Sequence, residues 1–167
     1  DVDFGYDVAY YTDVDPKFGT LEDFQQLVDE SRRHNIRIIL DLVLNHTSDQ
    51  HPWFLESRKS KDNPYHDWYL WKDSKPGGGP PNNWQAVFGG SGWLYDPHLD
   101  QYYYHMFYKE QPDLNWRNPD VRAALLNVFR FWLDRGVSGF RLDVFNNYFK
   151  DPLFRDNPPR LGIRGFD

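Results

Sequence analysis

The 167-residue sequence has no cysteine, which excludes a disulfide framework, a thiol nucleophile and thiolate metal sites. That absence fits a reducing compartment, and a cytoplasmic location is the expectation. A basic surplus is also missing: 19 Lys and Arg stand against 25 Asp and Glu, a formal net charge of −6, and the cations are scattered. Nucleic-acid binding needs a concentrated basic patch to neutralise phosphates, so no nucleic-acid partner is expected. No stretch approaches the roughly 18 continuous apolar residues of a membrane helix, and no targeting segment is legible, so no membrane partner is expected either. Glutamate is scarce, with four residues at positions 22, 30, 56 and 110. The chain opens at Asp1 without a Met or a preceding strand and stops at Asp167 just past a loop, which reads as an internal piece of a longer protein.

What the chain has in abundance is aromatic side chains, 19% of its residues, including Trp at 53, 68, 71, 84, 93, 116 and 132. Such rings fill cores by default. They also cover the apolar C–H face of a pyranose, and composition does not separate the two roles.

Apolar periodicity predicts a helix over Leu21–Arg33, with Leu21, Phe24, Leu27 and Val28 on its inner face, Thr20 as N-cap and Asp23 answering it three residues later. Residues 36–44 are almost continuously branched and apolar, the signature of a parallel strand covered on both faces. Within it Asp41 shares a strand face with Val43 and Asn45, and is expected to point with Asn45 toward an interior or mouth. From 47 to 113 short aromatic runs alternate with Gly, Pro and Asn. That is too long for a plain loop and predicts a small inserted unit with its own strands, the best of them over 102–108. Asn118 before Pro119 marks a helix start, Val121, Leu125, Val128, Phe129, Trp132 and Leu133 its apolar face, and Gly136 its stop. A strand over 137–144 follows. Helix, strand, insertion, helix, strand is an α/β layout whose right-handed crossovers build parallel barrels or open sheets.

Two runs carry the chemistry: Asp41-Leu42-Val43-Leu44-Asn45-His46 and Gly139-Phe140-Arg141-Leu142-Asp143. Each is an apolar strand delivering polar side chains at its C-terminal end, where the loops of a βα-barrel carry function. Arg141 and Asp143 lie two residues apart and so leave the same strand face. A guanidinium beside a carboxylate keeps the acid ionised and fixes its direction, which suits a carboxylate nucleophile. A buried ion pair at a strand end would leave the same trace. His46 fits a capping role as well as a binding one. Asp41, His46, Asp49 and His51 also allow a metal-site reading, although their spacing matches no familiar zinc pattern.

These two runs resemble the first two conserved regions of the α-amylase superfamily, glycoside hydrolase family 13. Gln111-Pro112-Asp113-Leu114-Asn115 resembles the marker of its oligo-1,6-glucosidase and α-glucosidase branch. Phe4-Gly5-Tyr6-Asp7, Asn45-His46-Thr47-Ser48-Asp49, Glu56-Ser57-Arg58, Asn82-Asn83-Trp84 and Asp156-Asn157-Pro158-Pro159 extend the likeness along nearly the whole length. The resemblance implies a (β/α)8 barrel, a TIM barrel, which usually takes about 250 residues, so that only part of one would be present. Residues 1–46 and 114–167 would be partial catalytic barrel, and 47–113 a small, β-rich domain B inserted after the third barrel strand.

The same resemblance implies a retaining glycosidase in which Asp143 attacks the anomeric carbon and forms a covalent glycosyl-enzyme. Arg141 would accompany the nucleophile, His46 would donate to a sugar hydroxyl, Asp3 would bind hydroxyls of the non-reducing sugar and Tyr6 would stack on its ring. Asp3 and Tyr6 would close the pocket to all but a terminal glucose. Val144 resembles the residue type that favours α-1,6 over α-1,4 linkages, which makes an isomaltose-type oligosaccharide the expected substrate partner. Asp41 is expected to be buried, supporting the site without breaking bonds, with Asn45 beside it. The matching Asn in many α-amylases helps hold a structural calcium that the oligo-1,6-glucosidase branch generally lacks, so no metal is expected, and no cofactor.

A retaining glycosidase also needs a general acid/base carboxyl near the nucleophile. Of the four Glu, two fall on the first helix and two in the insertion. The family's acid Glu, its downstream Asn/Asp-His-Asp region and the Arg that partners Asp3 are absent, so the chain by itself is expected not to turn over. Sucrose- or trehalose-acting isomerases and transglycosylases share the nucleophile and stay open. So does a relative without catalysis, the heavy chain of an amino-acid transporter, although Asp143, Arg141 and His46 are retained here.

Overall fold

A computed structural model describes residues 2–159. The first helix, α1 (Leu21–Arg33), starts at the expected capping box: Thr20 Oγ1 accepts from the Asp23 N–H at 3.2 Å, and the Asp23 carboxylate accepts from the Thr20 N–H at 2.8 Å. Asn35, at φ 57°, turns the chain into β1 (Ile39–Leu42). The long helix α3 (Pro119–Asp134) begins at Asn118, whose side chain accepts from the Asp120 N–H at 2.9 Å, and leads to β5 (Gly139–Leu142). β1 and β5 pair in parallel, with Asp41 opposite Arg141. Gly136 makes this return possible. It sits at φ 92°, and a Cβ there would lie 3.1 Å from Val28 Cγ1 and collide with the Arg32 guanidinium, so α1 passes directly over it.

The two strands are shorter than the apolar runs 36–44 and 137–144 suggest, and only one face is covered. Leu40 and Phe140 pack toward the helices, where Phe129 meets Phe140 edge-on at 4.9 Å and Phe24 meets Trp132 at 4.9 Å. The alternate face, with Ile39, Asp41 and Arg141, is open. The reason is the layer count: α1 and α3 form one helical layer, and the two-stranded sheet does not close on itself. Leu27 and Leu133, assigned to the inner faces of their helices, are exposed at the margins of that single contact. Val28, Val121, Leu125, Val128 and Trp132 are buried as the periodicity indicates.

The inserted stretch folds as expected into a unit with its own sheet. It contains the short helix α2 (Pro52–Ser57), a 3-10 turn at His66–Trp68, and strands β2 (Trp71–Lys72), β3 (Trp93–Asp96) and β4 (Gln101–Tyr104), antiparallel in the order β2-β4-β3. β4 ends at Tyr104 rather than continuing to 108, because the Met106 N–H leaves the ladder and donates to the Asp113 carboxylate at 2.7 Å. Aromatic rings do build the core here: Phe54 packs against Tyr69, Trp71 and Tyr103, and Trp84 against Trp93 and Tyr104. The two ends of the insertion are joined backbone to backbone, Thr47 N–H to Pro112, Asp49 N–H to Glu110 and Leu114 N–H to Asn45. Among the described residues no helix is long and apolar enough to cross a membrane.

Candidate active site

The open face of the strand pair ends in a connected polar network. Parallel pairing places Asp41 and Arg141 side by side, and one further backbone bond, Asp143 N–H to Leu42 at 3.1 Å, carries the register to the nucleophile candidate. Arg141 Nη1 lies 2.5 Å from Asp41 Oδ2 and 2.9 Å from Asp143 Oδ1, so one guanidinium serves both carboxylates. The Tyr6 hydroxyl donates to Asp41 at 2.9 Å and accepts from Arg141 at 3.2 Å. The hydrogen bond to Asp41 raises the Tyr6 pKa, and the same carboxylate raises that of Arg141, so the phenol stays neutral and the guanidinium charged at neutral pH. Directly after Asp143, Val144 is held at φ 41°, a region a β-branched residue adopts only when its surroundings impose it. That bend carries the chain away from the strand immediately behind the carboxylate.

Asp3 and Tyr6 come from a tight turn. Phe4 and Gly5 take positive φ, Tyr6 N–H returns to the Asp3 carbonyl at 2.8 Å, and Asp7 accepts from the Val2 and Asp3 N–H groups. Gln111 ties this turn to the rest of the site: its Nε2 lies 2.9 Å from Asp3 Oδ2, 3.2 Å from the Tyr6 carbonyl and 3.2 Å from His46 Nε2. Asp3, Tyr6, His46, Asp41, Arg141 and Asp143 thus belong to one hydrogen-bonded assembly.

Several details differ from the sequence reading. Asp41 is not buried; its side chain is 37% exposed. It also parts company with Asn45, because β1 ends at Leu42 and the alternation of faces stops there. The pocket is not closed: Arg141 is 55% exposed, since the unclosed sheet supplies no facing wall. His46 is buried with both ring nitrogens engaged, Nε2 at 3.0 Å from the Tyr6 carbonyl and Nδ1 at 3.2 Å from Asn45 Nδ2. These partners assign the neutral Nε2–H tautomer, and burial lowers its pKa despite the charge of Asp113. A sugar hydroxyl reaches this Nε2 only by sharing or displacing the Tyr6 carbonyl. The four residues of the metal-site reading are not gathered, and among the described residues no group of three or more His, Asp or Glu is placed to hold a metal. His51 instead caps α2, its Nδ1 accepting from the Trp53 N–H at 3.1 Å.

Sequence reasoning missed the cation beneath the site. Lys150 Nζ lies 2.5 Å from Asp113 Oδ2, 2.6 Å from Asn45 Oδ1 and 2.6 Å from the Asn147 carbonyl. Asn45 donates its amide to Asp113 at 2.9 Å, and both Asn45 and Asp113 are fully buried. Three oxygens converging on one point are what a hard cation takes, and here an ammonium occupies that point. The Gln111–Asn115 motif was the available signal for Gln111 and Asp113; nothing in the spacing pointed to Lys150. Tyr148 was also missed. It stacks on Trp116 at 4.3 Å, and its buried hydroxyl has no hydrogen-bond partner among the described residues. Burial, and then the charges of Asp143 and Asp41, push its pKa up to about 12.

The model of the α-amylase catalytic domain matches residues 1–161. A probable α-glucosidase of Rhizobium meliloti (strain 1021) is 62% identical over 156 residues, covering 93% of this chain and 28% of that protein. An oligo-1,6-glucosidase of Parageobacillus thermoglucosidasius is 51% identical over 160 residues, covering 96% and 28%. Among solved structures, XgtA, an α-glucosyl transfer enzyme, matches with a TM-score of 0.92 at 51% identity, over 93% of this chain and 29% of its own. The chain spans about 28% of the length of these curated relatives. A family match across nearly every residue, joined to strand-end carboxylates assembled around one arginine, means that the chain belongs to the α-amylase family, glycoside hydrolase family 13, in its α-glucosidase and oligo-1,6-glucosidase branch.

Proposed function

We propose that this chain carries the nucleophile half of a retaining α-glucosidase that releases terminal α-linked glucose, α-1,6 bonds in preference, from short oligosaccharides. The observation that carries the reading is the fixed carboxylate of Asp143 at the C-terminal end of a parallel strand, held 2.9 Å from Arg141 within the assembly that includes Tyr6 and Asp3. In this reading 1–46 and 114–167 are barrel segments, 47–113 is domain B after the third barrel strand, and 160–167 lie outside the described residues. An Asp143 oxygen attacks the anomeric carbon while the glycosidic C–O bond breaks, and the leaving oxygen takes a proton from a carboxylic acid. Water then attacks the same carbon, gives a proton back to that group, and frees glucose and the Asp143 carboxylate. Arg141 orients the nucleophile, Asp3 holds sugar hydroxyls, Tyr6 faces the ring, Val144 bounds the aglycone side, and His46, Asp41 and Asn45 keep these in place. No metal takes part; the Lys150 ammonium supplies the positive charge beneath the site.

The full-length protein provides the test. A slow fluorinated α-glucosyl substrate should label the peptide containing Asp143 with one glucosyl unit, and Asp143→Asn should lower kcat by at least about 10³-fold. Labelling elsewhere, or retained turnover, would overturn the assignment. Isomaltose should be cleaved faster than maltose; equal or greater activity on maltose would remove the α-1,6 preference. Likeness to an α-glucosyl transfer enzyme supports a second reading, in which a sugar hydroxyl rather than water intercepts the glucosyl-enzyme. Product analysis at high sugar concentration separates the two.

A further inference from the structure

The Asn82-Asn83-Trp84 run, which the site above does not use, grips the chain beyond Asp143. Asn82 Nδ2 donates to the Phe154 carbonyl at 3.0 Å and Trp84 Nε1 to the Arg155 carbonyl at 2.9 Å. Asn83 Nδ2 donates to the Asn157 carbonyl at 2.9 Å, and its Oδ1 accepts from the Asn157 N–H at 2.7 Å. The Asn83 N–H adds a bond to Asp156 Oδ1 at 2.9 Å. Four of these five contacts meet backbone, so they fix the path of the segment rather than select its side chains. The Trp84 ring also stacks on Phe154 at 5.4 Å, and Lys72 Nζ stands 4.3 Å from the centre of the Phe154 ring. Asn82 Oδ1 anchors the grip in the insertion, accepting from the Trp84 N–H at 3.0 Å and from Trp93 Nε1 at 2.7 Å. On its own side the segment is pre-shaped, with Asp151 accepting from Arg155 Nε at 2.8 Å and Nη2 at 3.0 Å.

Between this grip and the end of β5 lies a cleft of about 630 Å³, with Trp84, Tyr104 and Met106 on the insertion side and Asn146, Asn147 and Phe149 on the other. A cleft of that size, with ring faces and side-chain amides, matches the needs of a sugar. Asp3, Tyr6, Asp41, Arg141, Asp143 and Val144 do not line it; its wall begins two residues past Val144, at Asn146, so on the glucosidase reading it serves the part of the substrate beyond the transferred glucose and the bond that breaks. We infer that Asn83 and Trp84 are positioning residues that set the width of this leaving-group cleft by holding residues 154–157, and so discriminate among aglycones. This rests on the glucosidase reading.

The test uses the full-length protein carrying Trp84→Phe, which keeps the stacked ring and deletes one donor, and separately Asn83→Ala. Both are assayed on isomaltose and on 4-nitrophenyl α-glucoside. Expected is a fall of about three- to tenfold in the isomaltose to nitrophenyl glucoside ratio of kcat/KM, the worth of one hydrogen bond, carried by KM for isomaltose. Amide exchange across 153–157 should quicken in both variants. An equal loss on both substrates, or an unchanged ratio in a folded Trp84→Phe variant, overturns the positioning role. A wild-type protein that releases glucose from neither substrate overturns the glucosidase reading instead.

Discussion

At Lys150 the balance of forces is severe, because an ammonium only 9% exposed faces the fully buried carboxylate of Asp113. Such a pair adds little net stability over an apolar replacement, yet removing one member strands the other charge. Lys150→Met in the full-length protein should therefore cost about 3–5 kcal/mol in a denaturant titration, and Lys150→Met with Asp113→Asn should recover part of it. A single variant within about 1 kcal/mol of wild type would show that water or another group replaces the ammonium. Arg141 presents the opposite case. Its guanidinium is 55% exposed, so the contact with the likewise open Asp41 contributes little to folding, while the contact with the buried Asp143 fixes the direction of that carboxylate. The neutral tautomer of His46, fixed by Asn45 and the Tyr6 carbonyl, is likewise a matter of orientation.

At the level of elements, α2 depends on an unusual cap. His51 satisfies the Trp53 N–H through a bare ring nitrogen, and burial lowers its pKa from 6.5 to about 4. In the unfolded chain the imidazole takes up its proton near pH 6.5, whereas the folded state resists until near pH 4, so between those values the unfolded state binds more protons. Stability is whole above pH 6.5 and declines as pH falls toward 4, by up to about 3 kcal/mol. His51→Asn keeps a side-chain acceptor at the cap and removes the titration, so its stability should be flatter between pH 6.5 and 4.5. Equal pH slopes for the two proteins would contradict this. α1 was readable because Thr20, Asp23 and its apolar spacing act within four residues of one another. β1 was overextended because an apolar run reports what a strand will tolerate, while its length depends on a partner a hundred residues away.

For the molecule as a whole, the exposed face of the β1/β5 pair is where the fold is unfinished in this chain. The four Glu sit elsewhere: Glu22 and Glu30 on α1, Glu56 beside Lys59, and Glu110 near Lys109. None joins the assembly around Asp143, so the second carboxyl group that retention demands about 5 Å away is not provided by glutamate. The 167-residue chain expressed alone should release no glucose from isomaltose, maltose or an aryl α-glucoside; measurable release would mean that another group, with Asp41 the first to examine, serves as the acid.

The amino-acid sequence by itself determined the two long helices α1 and α3 with their caps, the presence of further short strands between 47 and 113, and the strand-end placement of Asp41, Arg141 and Asp143, because each of these is written in local spacing, while the motif runs carried the family. Tertiary structure alone decided that Lys150 neutralises Asp113, that Gln111 ties the Asp3 carboxylate to the Tyr6 carbonyl, and that Asn83 and Trp84 hold the segment after Phe154. Those partners are separated by tens of residues to more than a hundred along the chain. Charge neutralisation and hydrogen bonding act over a few ångströms of space, a proximity that only the folded chain creates.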